Sequence, residues 1–517
     1  MSELLTSAQM RGIESAAMDS GQVTGLTLME RAGQGVVSAL GAAGVLAQPG
    51  RAAVLAGPGN NGGDGYVIAR LLHDLGWTVD VLALGDPDRL PPDARANADR
   101  WRQDHAVRTI EAADGPAPDL LVDAVFGTGL TRAIPETVSR AFAALRGPST
   151  FVVAVDCPSG LDTDSGRRLW PDGVQDGPRA DLTVTFHMAK CGHYLADGPD
   201  LCGRIVVADI GLGAFTPPPA APFAGPSPDR LRLVAATADW PAALIGPPRP
   251  GAHKYHRGHA LVLAGGVGRG GAGRMAARAA LRAGAGLVTL ACPPAAVIEN
   301  AARLDAVMLR PLADAEALAA MLEDPRLSAL CLGPGLGVGP RTRALVDVAL
   351  ASGRRVVLDA DALTVLAADP APTLCRRDAD VVLTPHFGEF ARLFPDLAAA
   401  VDAGGSRADA ARRAAERTGC VLLLKGRDTV IASPGGAASV HAAAYDRAAP
   451  WLGTAGSGDV LAGILTGLLA TPGRGPAHVL AEAAVWLHVE AARQVGPGLI
   501  AEDLPEALPA VYRALAL

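Results

Sequence analysis

The stretch AAVLAGPGNNGGDGYVIARLLHDLG, residues 52–76, shows how this chain folds. A short apolar run at 52–56 predicts a buried strand, and the apolar spacing at 66–75 predicts a helix. The segment between them, GPGNNGGDG at 57–65, is a glycine-rich turn that carries two asparagines and one aspartate. Because free backbone N–H groups at the start of a helix bind anions, the stretch predicts an anion site that also offers amide and carboxylate oxygens.

The same order of strand and helix recurs along the chain. The β-rich runs of the first half lie at 52–56, 78–84, 120–127, 151–156, 182–186 and 203–211, and those of the second half at 259–266, 286–292, 329–335, 355–363, 380–386 and 420–426. This alternation predicts an α/β fold with mostly parallel sheets and helices on both faces. Ligands of such sheets bind beyond the carboxyl ends of the strands, so functional residues are expected there.

A proline-rich segment divides the chain. A chain of 517 residues is too long for one ordinary core, so two domains are expected. The segment TPPPAAPFAGPSPDR at 216–230 offers few backbone donors, and each proline disfavours helix in the residue before it. It predicts a linker between a domain at 1–215 and a second domain at 231–517.

The composition excludes several classes of protein. The chain has 49% apolar and 19% charged residues, as globular proteins do. Its net charge of −7, with no basic stripe, argues against nucleic-acid binding. Seven cysteines without a paired C-x-x-C argue against a disulfide framework or a zinc site. No secretory signal and no apolar run of about 18 residues is visible, so we expect a cytoplasmic protein that does not bind membranes.

The glycine-rich turn also has an alternative interpretation. Gly57, Gly59 and Gly62 match the dinucleotide-binding pattern G-x-G-x-x-G, and Asp80 follows at a suitable distance. This favours a nicotinamide dehydrogenase. The pattern is weak in a chain with 61 glycines, however, and Asp80 lies inside the run 78–84 instead of at its end.

Polar side chains follow three predicted strands of the first half. Asp64 lies in the glycine-rich turn at 57–65, and Asp123 lies in VDAVFGTGL at 122–130. Asp156 and Ser159 lie in DCPSGLD at 156–162. Each could be a turn residue, and Asp64 could instead cap the helix after it. Together they predict one oxygen-rich crevice. Lys190, in TFHMAKCGH at 185–193, either faces phosphates or is a solvated lysine.

These three motifs resemble the NAD(P)HX epimerase family, the N-terminal half of the YjeF-type proteins, over about residues 1–215. The resemblance implies a Rossmann-like three-layer domain that binds hydrated NAD(P)H and interconverts its R and S epimers. It also implies a bound potassium ion (K+), a hard cation that oxygen ligands satisfy. By motif, Asn61, Asp123 and Ser159 would hold the potassium, and Asp156 would move protons at the hydrated ring. The residues that would contact the nucleotide are Asn60, Asn61, Gly62, Gly63, Asp64, Gly127, Thr128, Gly129, Leu130, Thr131, Arg132, Ala133 and Asp156.

The second half has its strongest motif in GTAGSGDVLAG at 453–463. Its small residues predict backbone amides that converge on an anion at a helix start. Asp459 follows them, and because a carboxylate repels a bound phosphate, the residue favours a base that takes a proton from a hydroxyl attacking phosphorus. The alternative is a capping aspartate. No P-loop pattern G-x-x-x-x-G-K-[ST] occurs, so phosphate binding must use another fold.

Three more segments end or follow predicted strands of the second half. LLLKGRDTV at 422–430 ends in Lys425 and a turn at 426–429, which suit a nucleotide phosphate. TPHFGEF at 384–390 offers His386 and Glu389, and GVGRGGAG at 266–273 is a glycine-rich turn before a helix.

These pieces resemble the ribokinase-like superfamily, and more closely the ADP-dependent NAD(P)HX dehydratases of the same YjeF-type proteins, over about residues 250–517. The resemblance implies a ribokinase-like α/β domain in which ADP phosphorylates the hydroxyl of S-NAD(P)HX, after which phosphate leaves and NAD(P)H is restored. We expect magnesium (Mg2+) to neutralise the phosphate charge, with ligands that the sequence does not reveal. By motif, Ala272, Gly335, His386 and the catalytic Asp459 would contact the hydrated nucleotide. The residues that would contact the adenine nucleotide are Lys425, Gly426, Arg427, Asp428, Thr429 and Gly458.

The sequence therefore predicts a bifunctional metabolite-repair enzyme that acts on small molecules as a homo-oligomer. One rival is a vitamin or sugar kinase fused to a non-catalytic nucleotide-binding domain, which would leave a stable phosphate ester. A second rival is a first half that only senses nucleotides or binds a partner. Epimerisation of R-NAD(P)HX by that half would exclude it.

Overall fold

A computed structural model describes residues 2–174, 177–218, 226–234, 242, 244–246, 251–367 and 380–516. The chain forms two compact units, Glu3–Pro218 and Pro219–Leu517, the second including Met1–Ser2. The border between the units falls inside the predicted linker 216–230. Residues 219–225 of that linker lie outside the described residues.

The N-terminal part of the chain alternates strands and helices from its first residues. Its strands are β1 (Ser2–Leu4), β2 (Arg51–Ala56), β3 (Thr78–Ala83), β4 (Val107–Thr109), β5 (Leu120–Ala124), β6 (Phe151–Val155), β7 (Leu182–Phe186) and β8 (Arg204–Ala208). Its α-helices are Ser7–Asp19, Gly25–Ala42, Asn60–Asp74, Pro92–Arg102, Glu136–Leu145 and Gly198–Leu201.

The sheet of this unit is parallel throughout, in the order β4-β3-β2-β5-β6-β7-β8. Alternate residues of its strands enter two apolar cores: Val54 and Val122 pack with the helices Ser7–Asp19, Gly25–Ala42 and Asn60–Asp74, and Leu55 packs with the helix Glu136–Leu145. The unit therefore has three layers, which confirms the predicted Rossmann-like architecture. Strands β3 and β4 lie on one side of β2, and strands β5 to β8 lie on its other side. The switch in strand order therefore lies between β2 and β5.

The C-terminal unit is built on a larger sheet. Its strands are β9 (Leu231–Leu233), β10 (His259–Leu263), β11 (Leu287–Cys292), β12 (Met308–Pro311), β13 (Leu327–Leu332), β14 (Arg355–Leu358), β15 (Val381–Leu383), β16 (Val421–Leu424), β17 (Asp428–Ala432) and β18 (Ala438–Ala442). Its α-helices are Gly271–Arg282, Val297–Ala301, Ala315–Met321, Pro340–Ala351, Asp361–Leu366, Phe387–Leu393, Pro395–Asp402, Arg407–Thr418, Ser457–Ala470, Ala477–Val495 and Asp503–Ala514.

The strands of this unit follow the order β9-β18-β17-β16-β15-β14-β13-β10-β11-β12. The pairs from β16 to β12 are parallel, whereas β16, β17 and β18 pair antiparallel. Helices Gly271–Arg282, Ser457–Ala470 and Ala477–Val495 contribute to one large core with the strands. Here the switch in strand order lies between β10 and β13.

Candidate active sites

In the N-terminal unit, the turn after β2 and the loop after β5 meet at Gly127. The Asn61 side chain, in the amide orientation that satisfies both ends, accepts from the Gly127 N–H at 3.3 Å and donates to the Val155 carbonyl at 3.2 Å. A β-carbon added to Gly127 would lie 2.9 Å from the Asn61 amide and 3.3 Å from the Asp156 carboxylate. Only glycine therefore lets these two side chains approach the loop, at the switch point of the sheet.

Asp123 and Ser159 form a buried pair at the ends of β5 and β6. The Ser159 backbone N–H donates to Asp123 at 2.7 Å, and its hydroxyl donates to the same carboxylate at 2.5 Å. Asp123 is 1% exposed. Burial raises its pKa to about 6, against the lowering effect of its hydrogen bonds from Ser159 and Val125. Among the described residues, no basic side chain forms an ion pair with this carboxylate.

Asp156 follows β6 and is held by the end of β7. Lys190 Nζ lies 2.8 Å from Asp156 Oδ1, the Thr185 hydroxyl donates to the same oxygen at 2.9 Å, and the Thr128 N–H donates to Oδ2 at 3.1 Å. Burial acts to raise the pKa of Asp156, but the charge and hydrogen bond of Lys190 outweigh it and lower the pKa to about 2. Asp156 is therefore ionised at neutral pH.

Lys190 has neither of the two positions that its sequence context suggested. It is 1% exposed, and its ammonium donates to Asp156, to Thr185 Oγ1 at 2.8 Å and to the Phe186 carbonyl at 3.0 Å. The ammonium thus has three acceptors inside the protein, so it is neither solvated nor free for a phosphate. Its role is to keep a buried carboxylate charged.

A cavity of about 600 Å³ opens beside Asp156. The predicted nucleotide-binding residues that line it are Asn60, Asn61, Asp64, Gly127, Thr128, Gly129, Leu130, Thr131, Arg132 and Asp156. Gly62, Gly63 and Ala133 are not part of this lining. Gly62 and Gly63 are instead buried in the helix, against Gly57 and Met29.

Two cavity residues come from a helix that the sequence did not connect with the motifs. Arg11 and Glu14 lie on the helix Ser7–Asp19 and line the cavity. Burial raises the pKa of Glu14, and the neighbouring negative charge of Asp156 raises it further. Only the tertiary fold brings this helix to the strand ends, and no motif in the sequence marks it.

Asp64 does not cap a helix. The helix starts at Asn60, six residues earlier than its apolar spacing predicted, and its N-cap is Gly59. Asp64 therefore lies inside the helix, is half-buried and accepts no hydrogen bond from a described residue. Burial raises its pKa well above the ordinary value, and the charges of Asp156 and Glu14 raise it further.

In the C-terminal unit, the helix Ser457–Ala470 begins at Gly456, which has a left-handed φ of 88°. This left-handed conformation favours glycine, and a β-carbon there would also lie 2.7 Å from Met275 Cε. Asp459 lies in the first turn of the helix, and no side chain of the described residues caps it. The capping alternative for Asp459 is thereby excluded. Burial and the charge of Asp359 raise the pKa of Asp459 to about 6, against the lowering effect of Lys425.

Lys425, at the end of β16, reaches the start of the same helix. Its Nζ lies 3.3 Å from a β-carbon built on Gly458. It also lies 2.6 Å from Asp359 and 4.0 Å from Glu389. The predicted nucleotide-binding residues Lys425 and Gly458 are therefore neighbours. Asp359 was not predicted as a site residue, although its position directly after β14 was the available signal.

Ala272 and Gly335 meet at the switch point of this sheet. A β-carbon on Gly335 would lie 3.8 Å from that of Ala272. His386 caps the helix Phe387–Leu393: its Nδ1 accepts from the Gly388 N–H at 3.0 Å, and the Glu389 carboxylate accepts from the His386 N–H at 2.9 Å. The His386 side chain is 56% exposed and therefore accessible to a ligand.

The predicted turn at 426–429 is only partly a turn. Asp428 and Thr429 begin β17, which pairs antiparallel with β16, and both are buried. Asp428 forms an ion pair with Arg407 at 3.3 Å, and the Thr429 hydroxyl donates to the Gly426 carbonyl at 2.7 Å. These two side chains hold the turn in shape, whereas Gly426 and Arg427 are exposed.

His488 is a further residue that sequence reasoning missed. Its Nε2 lies 2.9 Å from the Ser457 carbonyl, so the neutral ring donates there. Burial lowers the pKa of His488 to about 4, and Lys425 adds to the effect. No motif surrounds His488 in the sequence. The packing of the helix Ala477–Val495 alone brings this side chain to the start of the helix Ser457–Ala470.

Metal-binding clusters of His, Cys, Asp and Glu, and membrane-spanning helices, are both absent from the part of the chain that the structure describes. There, no three His, Cys, Asp or Glu side chains are grouped so that they could hold a metal ion. Within the same residues, no helix combines the length and the apolar character needed to cross a membrane.

Comparison with known proteins assigns each half to a family. Residues 25–192 match the family described as YjeF-related protein N-terminus, and residues 260–508 match NAD(P)H-hydrate dehydratase. The bifunctional NAD(P)H-hydrate repair enzyme Nnr of Salinibacter ruber is 36% identical over 98% of this chain and 96% of its own length. The enzyme of the same name from Moorella thermoacetica is 36% identical over 99% of this chain and 97% of its own.

Among solved structures, ADP/ATP-dependent NAD(P)H-hydrate dehydratase from Bacillus subtilis, co-crystallized with ATP and Mg2+, is 26% identical. It covers 55% of this chain and 99% of that chain at a TM-score of 0.47. The two family matches and the full-length relatives confirm the resemblance of both halves. The chain belongs to the family of bifunctional NAD(P)H-hydrate repair enzymes, with a YjeF-related N-terminal half and an NAD(P)H-hydrate dehydratase C-terminal half.

Proposed function

We propose that this chain repairs hydrated NAD(P)H. Its N-terminal unit interconverts the R and S epimers of NAD(P)HX, and its C-terminal unit converts S-NAD(P)HX to NAD(P)H with ADP, giving AMP and phosphate. The observation that carries the proposal is that each motif set gathers beyond the carboxyl ends of the parallel strands of its own sheet. Family membership over nearly the whole chain supports the pairing of the two activities.

Potassium fits the donor set of the N-terminal unit. Asp123, Ser159 and Asn61 offer carboxylate, hydroxyl and amide oxygens, which suit a hard cation. A buried carboxylate without a cation is costly, and no described basic side chain pairs with Asp123. A potassium ion held by these three residues would supply that charge and fix the loops after β5 and β6.

The hydrated nicotinamide ring would lie against Asp156. This side chain is ionised because Lys190 contacts it, so it can accept a proton or stabilise positive charge on the ring. Free N–H groups at the start of Asn60–Asp74 would bind the pyrophosphate. Asn60, Asp64 and the loop 127–132 would enclose the rest of the nucleotide, because they line the cavity.

The C-terminal unit would transfer phosphate from ADP to the hydroxyl of S-NAD(P)HX. Asp459 would take the proton from this hydroxyl, and a pKa near 6 suits a base at neutral pH. Lys425 and the backbone at Gly458 would bind the phosphates of ADP. Magnesium would neutralise phosphate charge, and since no described group of three acidic or metal-binding side chains is placed for it, the nucleotide phosphates would supply most of its ligands.

The remaining residues of the C-terminal motifs would contact the two nucleotides. Ala272, Gly335 and His386 would contact the hydrated nucleotide, and Gly426, Arg427, Asp428 and Thr429 the adenine nucleotide. For Asp428 and Thr429 the contact would be through their backbone, since their side chains are buried. The enzyme would act in the cytoplasm as a homo-oligomer.

One incubation tests the proposal. The purified chain is mixed with R- and S-NAD(P)HX and ADP, and the absorbance of reduced nicotinamide is followed. Complete recovery of both epimers supports two activities. A stable phosphate ester would favour the kinase alternative, and recovery of only the S epimer would favour a first half without turnover.

A further inference from the structure

The cavity of the N-terminal unit contains three carboxylates in contrasting surroundings. Glu14, Asp64 and Asp156 all line it, and they come from three different elements. Among the described residues, a cation contacts only Asp156 of these three carboxylates: Lys190 Nζ lies 2.8 Å from it. Asp64 has no hydrogen bond or ion pair with any described residue. Carboxylates that share a site cannot all ionise without compensation, so the three differ in their affinity for a proton.

Asp64 is placed to reach a ligand that Asp156 also touches. Asp64 and Asn61 are three residues apart on one helix, so their side chains project from the same face. The Asn61 amide contacts Gly127, and the Asp156 carboxylate lies beside the same glycine. Asp64 and Asp156 therefore approach one end of the cavity from the β2 side and the β6 side of the switch point.

The charges around Asp64 and Asp156 favour opposite protonation states of the two carboxyl groups. Burial and the nearby charges of Asp156 and Glu14 raise the pKa of Asp64. Lys190 lowers the pKa of Asp156. The other charged groups of the cavity are Arg11, from the helix that carries Glu14, and Arg132, from the loop after β5. Two carboxyl groups whose surroundings separate their proton affinities form an acid and a charged partner.

We propose that Asp64 is the proton donor of epimerisation and that Asp156 stabilises the positive charge on the ring. This inference rests on the proposed epimerase activity. The hydroxyl of the hydrate sits on the ring carbon bonded to nitrogen. Asp64 gives its proton to the hydroxyl oxygen, the C–O bond breaks and water leaves. The nitrogen lone pair forms a C=N bond with that carbon. Water then adds to either face of the planar carbon, and its proton returns to Asp64.

The test uses the full chain with R-NADHX and compares Asp64→Asn with Asp74→Asn, an exposed aspartate of the same helix. We expect Asp64→Asn to lower kcat for epimerisation by about 100-fold or more with little change in KM. Asp74→Asn should behave as the parent does. In water labelled with oxygen-18, the parent should exchange the hydroxyl oxygen during epimerisation, and Asp64→Asn should lose exchange and epimerisation together.

The pH profile separates catalysis from binding. The parent rate should fall as the pH rises and Asp64 loses its proton, and Asp64→Asn should lack this decrease. Dehydration of S-NADHX by each variant shows that the preparation is folded. If Asp64→Asn raises KM with kcat unchanged, or keeps the parent pH profile, Asp64 is not the donor. If the parent itself does not epimerise R-NADHX, the proposed function fails instead.

Discussion

The ammonium of Lys190 lies 2.8 Å from the carboxylate of Asp156, and both groups are buried. Lys190→Met should leave the buried Asp156 without a charged partner, which costs about 3–5 kcal/mol of folding free energy. Epimerisation should be lost, because Asp156 would no longer be held ionised. Thermal unfolding and the epimerase rate of the full chain measure both effects, with the exposed Lys254→Met as control.

This ion pair also predicts a pH dependence of stability. The pKa of Asp156 in the folded protein is about 2, below its ordinary value of 3.8. Its contribution is therefore present above the ordinary value and is lost as the pH falls through about 2. The difference in stability between the parent and Lys190→Met should be largest at neutral pH and should shrink in acid. An equal difference at every pH would contradict this role of the pair.

Asp123→Asn should remove the potassium dependence of epimerisation and lower its rate. The variant keeps the size of Asp123 but removes the charge that a cation would balance. Epimerase rates in potassium and in tetramethylammonium salts measure the effect, with Asp80→Asn, at a surface ion pair of the same sheet, as control. If the parent rate is the same in both salts, Asn61, Asp123 and Ser159 do not hold a functional cation.

The sequence predicted the central strands well, because a strand buried on both faces is a continuous apolar run, as in residues 182–186 and β7. It missed the short strands β4, β9 and β12, and it missed the hairpin of β17 and β18. In the hairpin, the buried polar side chains of Asp428, Thr429, Ser439 and His441 interrupt the apolar runs that mark buried strands. Asp156 and Lys425 could be found because they follow strands directly. Glu14, Asp359 and His488 could not be assigned, because tertiary packing alone brings them to the sites.

The boundary inside 216–230 predicts that the two units fold separately. Each unit has its own sheet and its own apolar core. Fragments 1–218 and 226–517 should each unfold cooperatively and keep one activity, epimerisation and dehydration respectively. Calorimetry and the two assays check this. A fragment that is insoluble, while the full chain is active, would show that the boundary is wrong.

His488 should position the start of the helix Ser457–Ala470 for ADP. The Ser457 carbonyl and the Gly458 N–H belong to one planar peptide, so the hydrogen bond from His488 fixes the direction of that N–H. His488→Leu should weaken ADP binding about 3- to 10-fold, the value of one hydrogen bond. His488→Gln, which can still donate, should restore part of the affinity. Equal ADP affinity of His488→Leu and the parent, by calorimetry, would assign His488 to packing alone.

In the proposed dehydration reaction, Asp459 is the base. Asp459→Asn keeps the size and polarity of the side chain but removes the base. Dehydration of S-NAD(P)HX should fall by about 10²–10⁴-fold. ADP binding should persist, because backbone amides and Lys425 hold the phosphates, and epimerisation by the same preparation should be unchanged. If Asp459→Asn dehydrates S-NAD(P)HX at a rate close to that of the parent, Asp459 is not the base and another group takes the proton.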